Sequence, residues 1–585
     1  MNLTSSLHKV LTKGERQTSS DRVRLWFSLS VLVTLGYGLL TLKQVFSSQY
    51  VIHDDVRSHV FWMRRFLDSD LFPQDLISDY FQSVAPAGYF HLYRLVAGLG
   101  IDPLLFNKVL PLFLALITSV YCFGVCIEIF SVPAAGFLAT VFLNQTMWIT
   151  PEVTSGTPRA FFYPLLLAFL YYLLRRSLFP CVGALVLQGL FYPHCLLISA
   201  GVLILQLFRL ENWRTRFALE KSNLLFCAVG LGTIIVMLLP YALQVSEYSP
   251  VVTAAQARDI PIFQSTGRKP FFYADPIKFW FCAERSSIIP YEWCKHFPPL
   301  QVWLALLLPI LLKFGGVFPL NKQVSHRVTL LPQVLLSSLG VFFAAHILLF
   351  KLHLPSRYSK HSIRILAAIA AGIALIIILD ALFVWVKQPS QIPSKIRQFL
   401  TIGFISLLII LVFLSPSLIK FSDTGYKTAN APQLYNFFAQ QPKDTLIASF
   451  SEEANNIPTF SQRPVLFSSE TGVPYHLGFY RQIEQRAVEL MQSQYSQDLA
   501  PMKNLIRKYG VDFLLLDSGA FTAEYIEKDS WMRGFEPAAT AIANLKQGIV
   551  PAVSKVVNTC SVLQTKDSDN KTLLVLAADC LLAAR

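Results

Sequence analysis

The stretch QYVIHDDVRSHVFWMRRFLDSD, residues 49–70, places two adjacent carboxylates, Asp54 and Asp55, between His53 and His59, directly after the first strongly apolar segment of the chain. A carboxylate at a membrane surface is what a general base acting on a hydroxyl beside a lipid headgroup requires. Adjacent helical residues project about 100° apart, so one of the two is expected to face a shared site as base. The other would cap the helix, position an acceptor or bind a cation. His59 follows Asp55 by four residues, a spacing that suits a metal ion as well as a plain polar helix face. A structural reading competes. Val56, Val60, Met63 and Phe66–Leu67 recur at helical spacing, predicting a helix lying in the membrane interface, with Asp54 as its N-cap and Asp55 as a first-turn charge.

Two cationic stretches could face an anion. In TPEVTSGTPRAFFYP, residues 150–164, Gly156 and Pro158 shape a turn and Arg159 stands at the entrance to the next apolar segment. Its forked guanidinium suits phosphate, although an arginine there also snorkels to the interface without any ligand. In KLHLPSRYSKHSIR, residues 351–364, Arg357 and Tyr358 precede an apolar segment, with Lys360, His361 and Arg364 one turn on. Such a cluster could hold a lipid phosphate through charge-assisted hydrogen bonds. His194 in FYPHC, His346 and Asp380 read either as relay groups or as packing positions.

The elements that must position these residues are apolar helices. Of 585 residues 53% are hydrophobic and only 15% charged, and the mean hydropathy is +0.47; a soluble chain carries about 25% charged residues. Apolar runs predict eleven membrane spans, near 25–46, 104–128, 132–149, 159–174, 178–192, 193–208, 222–243, 299–314, 330–350, 363–386 and 398–419. Their unbroken character excludes a transmembrane barrel, whose strands alternate. The first run reads as an uncleaved anchor. The formal charge of +14 lies mostly in short loops, where it orients the chain and does not indicate nucleic acid.

Lys9, Lys13, Arg16, Arg22 and Arg24 predict a cytoplasmic tail over residues 1–24 and a membrane body over 25–420 with external loops 47–103 and 244–298. The basic loop 351–364 falls on the external side against that rule, which points to an anionic ligand. Residues 421–585 change character. TLIASF, RPVLFSS and VDFLLLDS read as strands, YRQIEQRAVELMQSQY and DLAPMKNLIRKYG as helices, the second stopped by Gly510. This predicts an extracytoplasmic α/β domain. Cys282 with Cys294 and Cys560 with Cys580 form two local pairs where disulfides persist, neither at zinc-ligand spacing.

The acidic HDD after the first span, the RY loop before a late span and the multi-span body with an external C-terminal domain resemble the GT-C superfamily of membrane glycosyltransferases. The count of spans and the placement of the termini are similar to its protein O-mannosyltransferase and aminoarabinose-transferase branch. The segment NNIPTFSQRPVLFSSETGVPYHLGFY, residues 455–480, resembles the tail of bacterial membrane proteins built on this plan. The resemblance implies a bacterial inner-membrane enzyme with a polyprenyl-phosphate sugar donor, a glycan, lipid or protein acceptor, and membrane lipids around it. It implies inversion at the anomeric carbon, with Asp54 as first choice of base and Asp55 as second; that branch carries Asp-Glu where this chain has Asp-Asp. Arg357, helped by Lys360 and Arg159, would stabilise the departing phosphate. No cofactor is implied, and a divalent cation is left open.

Two rivals make different demands. A flippase for lipid-linked glycan needs a polar path, and few intramembrane charges exist to build one. A scaffold has no need to gather Asp54, Asp55, Arg159 and Arg357 around one cavity, whereas a transferase does.

Overall fold

The computed structural model describes residues 3–12, 20–211, 214–217, 220–295, 298–388, 393–418 and 424–584. Lys13 and Arg16 of the expected tail, and the boundary expected at 420–421, lie outside them.

Each of the eleven apolar segments is helical. Among the described residues six helices are long and apolar enough to cross a membrane: Ser20–Val45, Pro103–Ile129, Lys221–Leu243, His326–Ile347, Ser356–Lys387 and Ser394–Phe413. The chain is an integral membrane protein. Five helices are shorter, Pro133–Met147, Phe162–Leu174, Leu178–Phe191, His194–Leu205 and Leu300–Lys313. The break between Leu178–Phe191 and His194–Leu205 falls at Pro193, which has no N–H to continue a helix.

The Ser356–Lys387 helix is buried along most of its length. It packs against Pro133–Met147 so closely that a Cβ on Gly372 would lie 2.7 Å from the Ala135 carbonyl oxygen and 2.7 Å from the Ala139 nitrogen. Only glycine lets the two backbones meet there. At the far end of the same helix, Asp380 is 2.7 Å from His8 of the N-terminal helix, whose ring rests on Phe383.

The first loop carries a three-residue strand, β1 (Val51–His53). A hairpin of β2 (Phe208–Glu211) and β3 (Arg214–Phe217) joins two of the apolar helices. β4 (Tyr426–Thr428) pairs antiparallel with β1, His53 opposite Tyr426. A mixed sheet follows, ordered β5 (Ile447–Ser449), β6 (Phe513–Asp517), β8 (Thr572–Ala577), β7 (Ser561–Lys566), in which only β5 and β6 are parallel. The expected strands at TLIASF and VDFLLLDS are β5 and β6. RPVLFSS is not a strand: Pro464 offers no N–H, and the segment makes a single bridge, Val465 to Ile447. Helices Leu477–Gln494 and Ala500–Tyr509 stand where expected, the second closed by Gly510 at φ 68°.

Residues 56–67 do not form the single amphipathic helix expected of them. They form a short helix, Val56–His59, and a 3₁₀ segment, Phe61–Phe66, broken at Val60. Val56, Val60, Trp62 and Met63 are buried in one apolar core with Leu434, Tyr435, Phe438 and Ile457. Tyr80 stacks on Phe479 at 3.7 Å, and Arg64 donates to the Thr459 carbonyl at 2.8 Å. The first loop and the C-terminal α/β region therefore share a single interior. Both cysteine pairs are disulfides.

Candidate active site around Asp55

β1 delivers the two carboxylates. The Asp54 N–H donates to the Gly425 carbonyl at 2.9 Å, extending the β1–β4 pairing by one residue. Gly425 has φ 79°, and a Cβ there would lie 2.5 Å from His53 Nε2, so the chain passes under the imidazole only as glycine. His53 is 1% exposed. Its Nδ1 accepts the Asp55 N–H at 3.2 Å; burial pushes the imidazole down to about 4 against the opposing pull of Asp55.

From that turn the carboxylates diverge. Asp54 accepts from Arg57, whose other amino group donates to Asn456 at 2.9 Å; Asn456 in turn donates to Glu453 at 2.8 Å. Asp54 is thus bound into the C-terminal region. Asp55 occupies the N-cap position of Val56–His59, but its side chain caps nothing. It accepts instead from Arg159. Burial works to raise the Asp55 carboxyl, and Arg159, with smaller help from His53, His59 and Arg357, holds it well below the usual carboxylate range. The N-cap expected at Asp54 is therefore at Asp55, and neither carboxylate spends its oxygens on the helix end.

Arg159 enters from the turn before Phe162–Leu174 and also donates to the Pro151 carbonyl at 2.9 Å. Its Nε is buried with no partner. The basic loop behaves as two halves. Lys360 Nζ lies 2.6 Å from Glu152 and Arg364 3.0 Å from the same carboxylate; Arg364 also reaches Glu292 at 2.7 Å. His361 meets Tyr163 OH at 3.2 Å, and Tyr358 OH closes its own turn on the Leu352 carbonyl at 2.7 Å. These groups are committed to the protein. Burial works to raise Glu152, yet Lys360 and Arg364 hold it well below the usual range. Arg357 differs: among the described residues it has no ion pair, and its Nη1 is buried without a hydrogen-bond partner. Its charge bears on Asp55, His59 and His353. A carboxylate, a tethered guanidinium and an uncommitted one thus share one site. That set can take up a proton from an incoming hydroxyl and neutralise a departing phosphate.

No family model matches the sequence, and no curated protein matches it. Solved structures do. The oligosaccharyltransferase of Archaeoglobus fulgidus in its apo form superposes with a TM-score of 0.55 at 11% identity, covering 89% of this chain and 72% of that one. The same enzyme tethered to an acceptor peptide gives 0.54 over the same shares, also at 11% identity. Its complex with an inhibitory peptide and a dolichol-phosphate gives 0.51 at 10% identity, covering 88% and 72%. This is the GT-C fold.

Within the GT-C fold the residues named from sequence fall into two groups. Asp55, His53, His59, Arg159 and Arg357 gather; Asp54, Tyr358, Lys360 and Arg364 are turned to protein partners. His346 Nε2 donates to the Ser286 carbonyl at 2.9 Å within an aromatic cage and is a packing residue. Asp380 holds the N-terminal helix. Sequence reasoning passed over Glu152, which is 1% exposed; its signal was a lone acid in the same turn as Arg159. Glu292, brought to Arg364 beside the Cys282–Cys294 disulfide, was also missed. Among the described residues no three His, Cys, Asp or Glu side chains form a group that could hold a metal ion.

Proposed function

We propose that this protein is a membrane glycosyltransferase that moves a sugar from a polyprenyl-phosphate donor to an acceptor hydroxyl on the extracytoplasmic side, with inversion. The observation that carries the reading is the Asp55–Arg159 pair beside the uncommitted Arg357, in a fold whose solved examples bind a dolichol-phosphate and an acceptor peptide. The two disulfides support an extracytoplasmic setting for the segments that carry them; the bacterial inner membrane and an N-terminus inside are part of the proposal.

Asp55, rather than Asp54, is the base in this reading, because it faces the cations that a phosphate would meet. At rest Arg159 keeps Asp55 weakly basic. A donor phosphate competes for that guanidinium, and the carboxylate it leaves behind gains proton affinity. The acceptor oxygen then attacks the anomeric carbon while its proton passes to Asp55. The bond between the anomeric carbon and the phosphate oxygen breaks, and the lipid phosphate leaves with its extra charge against Arg357 and Arg159. Glu152 keeps Lys360 and Arg364 in place and out of this exchange.

The test is label transfer in nanodiscs from a panel of radiolabelled polyprenyl-phosphate sugars to membrane acceptors. Asp55→Asn is expected to lose about 10²–10⁴ in rate, the usual worth of general-base help, while Asp54→Asn keeps most of it. Unchanged turnover in Asp55→Asn would refute the assignment. No transfer from any donor would refute the transferase reading and favour a flippase or scaffold.

A further inference from the structure

Three imidazoles in the site, His59, His194 and His353, make no hydrogen bond to any protein group among the described residues. Each is half-buried, so each keeps an accessible face. They belong together: the rings of His194 and His353 lie 5.4 Å apart, His59 and Arg357 both bear electrostatically on His353, and Arg357 bears on His59. Their flanks are aromatic. Tyr192 lies 5.1 Å from His194, Tyr475 5.1 Å from His353 and Phe81 5.4 Å from His59.

Groups left without partners in a folded protein call for an explanation, and here there is a second oddity. His353 stands at φ 59°, in the left-handed region, two residues before Pro355, which opens the Ser356–Lys387 helix. Such backbone is unfavourable for a residue with a side chain and collects at ligand sites. His194 Nδ1 is buried with no partner. Burial drives His59 down to about 4, so at neutral pH its ring is uncharged, with one donor and one acceptor nitrogen.

We propose that His59, His194 and His353, walled by Tyr192, Tyr475 and Phe81, form the pocket for the transferred sugar, and that this sugar is uncharged and rich in hydroxyls. This rests on the glycosyltransferase reading and names the substrate class. Neutral imidazoles pair with hydroxyls, which also both donate and accept, and aromatic walls suit the C–H faces of a sugar ring. The charges nearby are engaged by one another or by the reaction itself. Arg268 and Lys269 share Glu470, at 2.6 Å and 4.0 Å, Arg285 holds Glu284 at 3.2 Å, and the lipid phosphate claims Arg357 and Arg159. A sugar amine would compete with the acceptor's proton for Asp55, which the phosphate releases from Arg159; a uronic acid would compete with the phosphate for the same guanidinium groups.

The experiment measures binding of five farnesyl phosphates to the full-length protein in nanodiscs: sugar-free, and bearing a neutral pentose, a neutral hexose, a uronic acid or an amino sugar. A neutral-sugar lipid is expected to bind about tenfold or more tighter than the sugar-free one, the discrimination typical of satisfying buried polar groups. His194→Phe, which keeps the ring packing, and His353→Asn, which tolerates the left-handed backbone, should erase that advantage while leaving the sugar-free lipid unaffected and thermal melting unchanged. Preference for the amino sugar or the uronic acid overturns the proposal, as does equal weakening of sugar-bearing and sugar-free lipids in both variants. If none of the five binds to a protein that melts normally, the donor reading itself falls, and this one with it.

Discussion

Glu152 holds two cations inside the protein, and that makes it a sharp structural test. Removing its charge leaves Lys360 without a carboxylate partner in a buried space and Arg364 with Glu292 alone, so Glu152→Gln should destabilise the protein by about 3–5 kcal/mol, read as a lowered melting temperature. A change within error would mean that the pair is solvated. The histidines give a pH signature. His53 and His59 both sit near 4 in the folded protein, against an ordinary value near 6.5. Between those values the unfolded chain binds protons that the folded one refuses, so stability should fall as pH drops from about 6.5 towards 4 and return as pH rises. A series of melts with His53→Gln beside wild type would show a flatter slope in the variant. At this scale residue type and spacing made Asp55, Arg159 and Arg357 legible. The expected order, Asp54 before Asp55, is reversed in the proposed function, because a three-residue strand paired far away decides which way each points. Glu152 was equally hidden, since its meaning depends on Lys360 and Arg364 reaching it from another helix.

The elements differ in how they are held. The apolar helices follow from composition, since a run of some 20 apolar residues has few other choices; each of the eleven segments is helical among the described residues, and six are long and apolar enough to cross a membrane. β1 was invisible: YVIH does not alternate, and its partner lies at Tyr426–Thr428. The β7–β8 hairpin was missed as well, and RPVLFSS was taken for a strand because its apolar run outweighed its proline. The short β1–β4 ladder depends on Gly425. Gly425→Ala forces a methyl against His53 and a left-handed alanine, at a cost of about 1–3 kcal/mol. The amides of residues 51–54 should then exchange with solvent faster, and transfer should weaken even though no reacting group has been altered. Wild-type protection of those amides would show that the pairing is not what orients Asp55.

At the scale of the molecule, the C-terminal region is not an appendage. Trp62, Met63, Tyr80 and Phe81 of the first loop are buried with Tyr435, Phe438, Ile457 and Phe479, and Arg64 and Arg57 cross the same boundary. Deleting residues 424–585 should therefore expose a large apolar face and give a protein that aggregates in detergent by size-exclusion chromatography. A monodisperse truncation would show the two parts to be independent. The β1–β4 ladder carries a consequence for how the protein comes into being. Residues 51–53 leave the ribosome early, and their partner at 426–428 is made only after every apolar helix has been threaded into the bilayer. Until then Asp55 has no fixed direction. Under the proposed function the nascent chain would pass among lipid-linked sugars with its base undirected, and transfer would begin only once synthesis is nearly done.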